Sequence, residues 1–214
     1  MKLDLTLYMI TSSDGFSEDE ILAQVESGLK GGVTLVQLRE KTLDTREYIN
    51  RAGRLKQITD KFDVPLIIDD RVDVALAVDA GGVHLGACDM PISIARRILG
   101  KNKIIGATAK TVEQAKIAQI EGANYLGVGA IFPTTTKVIT VPTSVETLNN
   151  IIKTTRLPTV AIGGINLENI GTLYNSQASG VAVVSALMKS ENPCDYAAKL
   201  KSAIIKNFPK FWVD

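Results

Sequence analysis

The chain has 214 residues, of which 45% are hydrophobic and 22% are charged, and its formal net charge is +1. This composition is typical of a folded domain and excludes the intrinsically disordered and fibrous classes. The 24 basic and 23 acidic residues are interspersed without a basic block, which argues against a nucleic-acid partner. Cys88 and Cys194 lie far apart without metal-ligand spacing, which argues against a disulfide framework or a zinc site.

The apolar segments of the chain are short. Gly, Asp or Lys interrupts each of them well before the length that a membrane span requires. The apolar stretch near the N-terminus ends at Thr11 and is too short for a signal sequence. We therefore expect a cytoplasmic protein with no membrane partner, whose oligomeric state stays open, with a homo-oligomer as one option.

Short β-branched runs alternate with longer amphipathic segments along the whole chain, and no linker or low-complexity segment interrupts them. The predicted strands are residues 5–11, 34–39, 65–70, 82–86, 104–108, 125–130, 159–163 and 180–185. The predicted helices are residues 18–30, 45–61, 72–80, 92–99, 112–121, 144–154, 167–175 and 195–206. We therefore predict a single domain over residues 1–214.

The predicted strands are almost continuously apolar, which is typical of a parallel sheet covered by helices. Eight strand–helix units of this kind predict an α/β fold, a single-domain (β/α)8 TIM barrel. The alternative is a doubly wound sheet, which carries a GxGxxG turn after an early strand. No such turn follows either of the first two predicted strands, so the barrel is the favoured fold.

Polar residues collect where the second predicted strand ends, and in a TIM barrel the chemistry lies at the carboxyl ends of the strands. Strand alternation turns Gln37, Arg39 and Lys41 to one side. Two cations and an amide in this position predict an anion-binding site. The alternative is the entrance of a solvated loop.

Three carboxylates follow the next two strands. Asp69 and Asp70 end the third predicted strand, and Asp89 follows the fourth. Because Mg²⁺ prefers carboxylate oxygens, Asp70 and Asp89 are its candidate ligands, although each could instead cap the following helix. His84 lies within the fourth strand, and we expect it to be a core residue rather than a catalytic one.

The last three strands predict a phosphate site. Residues 130–137 are rich in hydroxyl groups and end in Lys137, and the seventh and eighth strands lead into Gly163, Gly164 and Ser185. Barrels of this class bind phosphate there through backbone N–H groups. Since no cysteine–histidine pair or histidine at the barrel rim is present, the residues favour an alkyl transfer in which a metal-bound diphosphate leaves.

Seven motifs along the chain resemble those of the thiamine-phosphate synthase family. They are VQLREK (36–41), DDR (69–71), GVHLGACD (82–89), GATAKT (106–111), GVGAIFPTTTK (127–137), AIGGI (161–165) and GVAVVSA (180–186). The resemblance covers nearly the whole chain. It implies a barrel enzyme that joins 4-amino-2-methyl-5-hydroxymethylpyrimidine diphosphate to a 4-methyl-5-(2-phosphoethyl)thiazole, or its carboxylate, and releases thiamine phosphate and diphosphate.

The resemblance also implies a role for individual residues. The pyrimidine diphosphate would be held by Gln37, Arg39, Lys41, Asp69, Thr108 and Lys137. Arg39, Lys41, Thr108 and Lys137 would be the catalytic residues among them. The thiazole phosphate would be held by Thr134, Thr136, Gly164, Val184 and Ser185, and Mg²⁺ by Asp70 and Asp89.

Four residues depart from the family's usual pattern: Asp69 replaces Asn, Ala87 replaces Gln, Thr108 replaces Ser, and Lys110 replaces His. An ionised carboxylate cannot donate a hydrogen bond to a diphosphate, so we expect Asp69 to face a cation or to join the metal ligands.

Two other functions remain as alternatives. A thiazole tautomerase would rely on a histidine at the position of Lys110, and a non-catalytic barrel that binds a thiazole phosphate would not need the diphosphate and metal residues. Residues 138–143 are polar to mixed in character and are a candidate lid.

Overall fold

A computed structural model of the chain describes residues 3–134 and 142–208. The strands are β1 Leu7–Ile10, β2 Leu35–Leu38, β3 Leu66–Asp69, β4 Gly82–Leu85, β5 Ile104–Thr108, β6 Tyr125–Val128, β7 Thr159–Ile162 and β8 Gly180–Val183. The α-helices are α1 Glu18–Lys30, α2 Thr45–Asp60, α3 Val72–Ala77, α4 Ile92–Leu99, α5 Val112–Glu121, α6 Val145–Thr155, α7 Ser185–Met188 and α8 Pro193–Asn207. Within the two described ranges, no helix is long and apolar enough to cross a membrane.

The strands form one closed barrel. They are parallel and pair in chain order, and β8 pairs with β1 to close the sheet. This arrangement confirms the predicted (β/α)8 fold. Most strands are one or two residues shorter at an end than predicted, so the polar residues that follow them lie just beyond the ladder, at the mouth of the barrel.

Alternation along each strand divides the apolar side chains into two groups. In β1, Leu7 and Met9 pack outward against the helices, whereas Tyr8 and Ile10 pack inside the barrel. The interior group also contains Leu5, Leu35, Ile67, Ile104, Tyr125, Val160 and Ala182. Continued past a strand end, the same alternation directs successive side chains either into the barrel mouth or back toward the helices.

Local signals start the helices that follow the first two strands. Ser17 and Glu20 form a capping box at the start of α1. At the start of α2, the carboxylate of Asp44 accepts a hydrogen bond from the backbone N–H of Glu47 at 2.9 Å. Because these caps satisfy N–H groups that have no partner within the helix, they define where each helix leaves the barrel mouth.

Two segments differ from the predicted elements. The predicted helix over residues 167–175 is wrong, because only a 3-10 helix, Ile170–Leu173, forms there. Its backbone hydrogen bonds join residues three apart: the Thr172 N–H donates to the Asn169 carbonyl at 3.1 Å and the Tyr174 N–H to the Gly171 carbonyl at 3.3 Å, and Gly171 in the middle disfavours a longer helix. Ser185, predicted to end the eighth strand, instead begins the short helix α7.

Candidate active site

A cavity of about 420 Å³ opens at the carboxyl ends of the strands. Every predicted site residue within the described ranges lines it: Gln37, Arg39, Lys41, Asp69, Asp70, Asp89, Thr108, Thr134, Gly164, Val184 and Ser185. Thr136 and Lys137 lie outside the described residues, as does most of the predicted lid, residues 138–141. Residues at or just beyond the ends of seven different strands therefore meet at one place although they are spread over most of the sequence.

A cluster of opposite charges lies where β2 and β3 end. The Lys41 Nζ donates to Asp69 Oδ2 at 2.7 Å and also to the carboxylate of Asp70. The Arg39 Nε lies 3.9 Å from the same oxygen of Asp69. Asp69 therefore faces cations, which is one of the two arrangements expected from the sequence.

The charges in this cluster shift one another's pKa values. Burial, together with repulsion from Asp70, raises the pKa of Asp69 to about 6 despite the opposing effect of Lys41. Burial acts to lower the pKa of Lys41, but the hydrogen bonds to Asp69 and Asp70 outweigh it and raise that pKa. Lys41 thus stays protonated at neutral pH, and its charge is held at the cavity wall before any substrate binds.

Asp70 and Asp89 come together where β3 and β4 end. Asp89 Oδ2 accepts the backbone N–H of Gly86 at 2.6 Å, and the two carboxyl groups are within hydrogen-bonding reach of each other. Burial raises the pKa of Asp89, and its contact with Asp70 raises it further. Asp70 has a φ of 60°, a left-handed conformation that is strained for a residue other than glycine and is concentrated at functional sites.

This carboxyl pair can share either a proton or a cation. Among residues 3–134 and 142–208, no group of three or more His, Cys, Asp or Glu side chains is placed to hold a metal ion. An ion bound between Asp70 and Asp89 would therefore need further oxygen ligands from water or from an anionic substrate.

A chain of hydrogen bonds runs along the cavity wall inside the barrel. Gln37 Nε2 donates to the Tyr8 hydroxyl at 2.6 Å, and that hydroxyl lies 2.8 Å from the hydroxyl of Tyr125. The His84 Nδ1 lies 3.0 Å from the Tyr125 hydroxyl, and its Nε2 lies 3.0 Å from Thr108 Oγ1. Both ring nitrogens of His84 are therefore engaged, and the imidazole is fixed between β5 and β6.

This chain of hydrogen bonds is not predicted from the sequence. Tyr8 and Tyr125 are not among the predicted site residues, and His84, expected to be a core residue, lines the cavity. Burial raises the pKa of both tyrosines well above its ordinary value, so their hydroxyls stay protonated. Gly106 leaves room for the ring, because a Cβ there would lie 2.1 Å from Tyr125 Cζ. A buried tyrosine hydroxyl needs a hydrogen-bond partner, so the tyrosines within apolar strands are the one sequence signal for this chain of hydrogen bonds.

The opposite side of the cavity, after β6, β7 and β8, presents backbone and hydroxyl groups. Thr134, Gly164 and Ser185 line it. Gly164 has a φ of 64°, and a Cβ there would lie 2.4 Å from the carbonyl oxygen of Pro133, so glycine alone fits. Asn169 Nδ2 donates to the Gly164 carbonyl at 2.8 Å and holds this turn in place.

Comparison with known proteins finds relatives along almost the entire chain. The family model described as thiamine monophosphate synthase matches residues 7–187. A thiamine-phosphate synthase 2 from Streptococcus pneumoniae is 50% identical over 202 residues, which are 94% of this chain and 95% of that protein. A thiamine-phosphate synthase from Methanobrevibacter smithii is 47% identical over 191 residues, which are 89% of this chain and 91% of that protein.

A solved structure agrees with these matches. Thiamine phosphate pyrophosphorylase from Pyrococcus furiosus has a TM-score of 0.86 with this chain at 39% identity, and the match covers 96% of this chain and 98% of that one. The matched regions include every residue that lines the cavity, and they confirm the resemblance carried by the seven motifs. The chain therefore belongs to the thiamine monophosphate synthase family.

Proposed function

We propose that the chain is a thiamine-phosphate synthase over a single catalytic domain. It would join 4-amino-2-methyl-5-hydroxymethylpyrimidine diphosphate to the thiazole phosphate and release diphosphate. The observation that carries this proposal is that one cavity has two polar sides of different kinds, one lined by charged side chains after β2–β4 and one lined by backbone and hydroxyl groups after β6–β8. A barrel that only binds one phosphate would not need both.

The charged side suits a diphosphate that leaves. Arg39 and Lys41 would neutralise its oxygens, with Gln37, Thr108 and Lys137 as further donors. The bond between the pyrimidine methylene carbon and the diphosphate oxygen breaks, and both electrons stay with the oxygen. Fixed cations stabilise the negative charge that develops there without having to reorganise, which lowers the barrier.

Mg²⁺ is part of this proposal. Asp70 and Asp89 fit it by the chemistry of their donor set, because two carboxylates in contact, one with a raised pKa, gain from a divalent cation between them. When bound, the ion would supply Lewis-acid stabilisation of the leaving diphosphate. Asp69 would hold Lys41 beside this place in the free protein through its 2.7 Å contact, and the diphosphate would compete with Asp69 for the same cation on binding.

The backbone-lined side suits the phosphate that stays on the product. Thr134, Thr136, Gly164, Val184 and Ser185 would hold the thiazole phosphate and direct the ring nitrogen at the methylene carbon. The nitrogen lone pair forms the new bond, and no proton has to move in this step. Tyr8 and His84 border the space between the two sides, where the pyrimidine ring would lie.

The experiment that tests this proposal measures diphosphate release from the purified protein given both substrates, with Mg²⁺ or with a chelator. We expect release only with both substrates and the metal, and loss of release in an Asp70→Ala Asp89→Ala variant. Asp73→Ala is the matched control, since Asp73 pairs with Arg71 at the surface. Absence of release in every condition would contradict the synthase and favour the tautomerase or the non-catalytic barrel.

The remaining expectations belong to the same proposal. The partners would be small-molecule substrates, without nucleic acid or membrane, and the location would be cytoplasmic. Size-exclusion chromatography with light scattering would establish whether the barrel works as a monomer or as a homo-oligomer.

A further inference from the structure

Glu40 stands between two residues of the charged side but points the other way. In β2, Leu35 packs inside the barrel and Leu38 packs outward against the helices. Continued past the strand, this alternation sends Arg39 and Lys41 to the cavity and Glu40 to its back. The side chain of Glu40 is 0% exposed, and it meets α2 rather than the substrate space.

The partner of Glu40 is Arg51. The Arg51 Nη1 donates to Glu40 Oε1 at 2.6 Å, and the Arg51 Nε lies 3.5 Å from the carboxylate of Glu18 on α1. Among the residues that the structure describes, no hydrogen-bond partner reaches Glu40 Oε2. Burying an ion pair costs desolvation free energy that can exceed its attraction, so a buried pair by itself is weak evidence for a stabilising role.

A second side chain of α2 holds the same backbone. Tyr48 lies on the same helix face as Arg51, three residues earlier, and its buried hydroxyl donates to the carbonyl oxygens of Leu38 at 2.9 Å and Asp69 at 3.2 Å. On the other side, the backbone N–H of Arg39 donates to Thr11 Oγ1 at 3.0 Å. The backbone is therefore anchored immediately before Glu40 as well as at Glu40 itself.

We propose that Glu40 and Arg51 form a positioning pair, which holds residues 39–41 so that Arg39 and Lys41 both face the diphosphate. A rotation of this segment would turn its side chains toward the opposite face, because successive residues alternate. Lys41 would then lose its place beside Asp69 and Asp70. This inference rests on the proposed function, in which Arg39 and Lys41 bind the diphosphate.

The test compares Glu40→Gln, Arg51→Met and Arg51→Lys with the unsubstituted protein. It measures the Kd of inorganic diphosphate with Mg²⁺ by calorimetry, and the KM of each substrate. In Glu40→Gln and Arg51→Met, we expect diphosphate binding to weaken and the KM of the pyrimidine diphosphate to rise by about tenfold or more, because both depend on the direction of the two cations. The KM of the thiazole phosphate should change by less than about twofold.

Two further results separate positioning from folding. Arg51→Lys should recover part of the diphosphate affinity, since an ammonium can pair with Glu40 but lacks the planar fork of arginine. The Glu40→Gln Arg51→Met double variant should bind diphosphate no more weakly than Arg51→Met alone, because the two side chains act through one contact.

Arg54→Met is the matched control. Arg54 lies on the same helix and pairs with Glu18 and Asp19 of α1, and its side chain is 52% exposed. Its substitution should leave the Kd of diphosphate and both KM values unchanged. If Arg51→Met lowers the melting temperature but leaves these three quantities unchanged, the pair is structural and the inference is overturned.

A second variant covers the case in which Arg51→Met does not fold. Tyr48→Phe removes only the hydroxyl that bonds the Leu38 and Asp69 carbonyls. It should weaken diphosphate binding by about threefold, and unchanged binding would overturn the inference. If the unsubstituted protein binds no diphosphate, the proposed function fails together with this inference. If it binds diphosphate and none of these variants changes the affinity, this inference alone is overturned.

Discussion

The two sides of the cavity differ in what carries their polarity. After β2–β4 it is carried by charged side chains, with Arg39 and Lys41 set against the carboxylates of Asp69 and Asp70, which they already contact or approach. After β6–β8 it is carried by backbone turns such as Gly164 and by short hydroxyl side chains. Full charges suit a group that gains negative charge as it leaves, and a shaped backbone suits a phosphate whose charge does not change. The two sides should therefore respond to different kinds of substitution.

The largest effect is expected on the charged side. Lys41→Met removes a proposed diphosphate ligand and leaves Asp69 and Asp70 without their main cation, so kcat/KM should fall by about 1,000-fold. Steady-state kinetics of diphosphate release would measure it. Lys56→Met is the control, because Lys56 pairs with Asp60 along α2, away from the cavity, and should behave like the unsubstituted protein. A loss of less than about tenfold in Lys41→Met would show that the charged side does not carry the chemistry.

An intermediate effect is expected on the backbone-lined side. In Gly164→Ala, the new Cβ would meet the Pro133 carbonyl at a positive φ, so the turn must move. The KM of the thiazole phosphate should rise about 10- to 100-fold, while the KM of the pyrimidine diphosphate changes little. Gly53→Ala in α2 is the control, since no atom lies within 4 Å of a Cβ at that position. Equal changes in both KM values would contradict the division into two sides.

The smallest effect is expected from Asp69→Asn. The pKa of Asp69 is raised to about 6, so its carboxylate is charged above that pH and competes with the diphosphate for Lys41, whereas below it the group is mostly neutral. The variant should therefore lower the KM of the pyrimidine diphosphate by about two- to fivefold at pH 8 and hardly at all near pH 5. The test is the ratio of the variant's KM for the pyrimidine diphosphate to that of the unsubstituted protein, measured between pH 5 and pH 8.

The control for Asp69→Asn is the substitution of a carboxylate that lies outside the cavity. Asp73→Asn changes an exposed carboxylate close to the third strand and should give a ratio that is independent of pH. Complete loss of activity in Asp69→Asn would show that the carboxylate is required, for example as a ligand of the metal, and that the ion pair with Lys41 is not a competitor.

The positions of residues around the cavity could be predicted where the information is local. Gln37, Arg39 and Lys41 could be assigned to one face because alternation depends only on neighbouring residues, and Asp70 and Asp89 because each directly follows an apolar strand. The seven motifs added the roles, and all the described residues to which they point line one cavity.

The predictions failed where a side chain meets a distant partner and where the length of a helix depends on local backbone geometry. Tyr8 and Tyr125 are 117 positions apart, and their contact exists only because the barrel closes. The periodicity of residues 167–175 suggests a helix, but backbone hydrogen bonds between residues three apart, with Gly171 in the middle, limit the segment to one short 3-10 turn.

Hydrophobic periodicity and the order of the polar strand ends were enough to define an eight-unit barrel with its chemistry at one rim, because these patterns follow from backbone geometry that every chain shares. Closure of the barrel determined the contacts between remote residues in the cavity. It placed Lys41 between Asp69 and Asp70, gave Asp69 its raised pKa, and brought Arg51 behind Glu40. Such contacts depend on burial and on distances between remote segments, which a one-dimensional pattern does not contain.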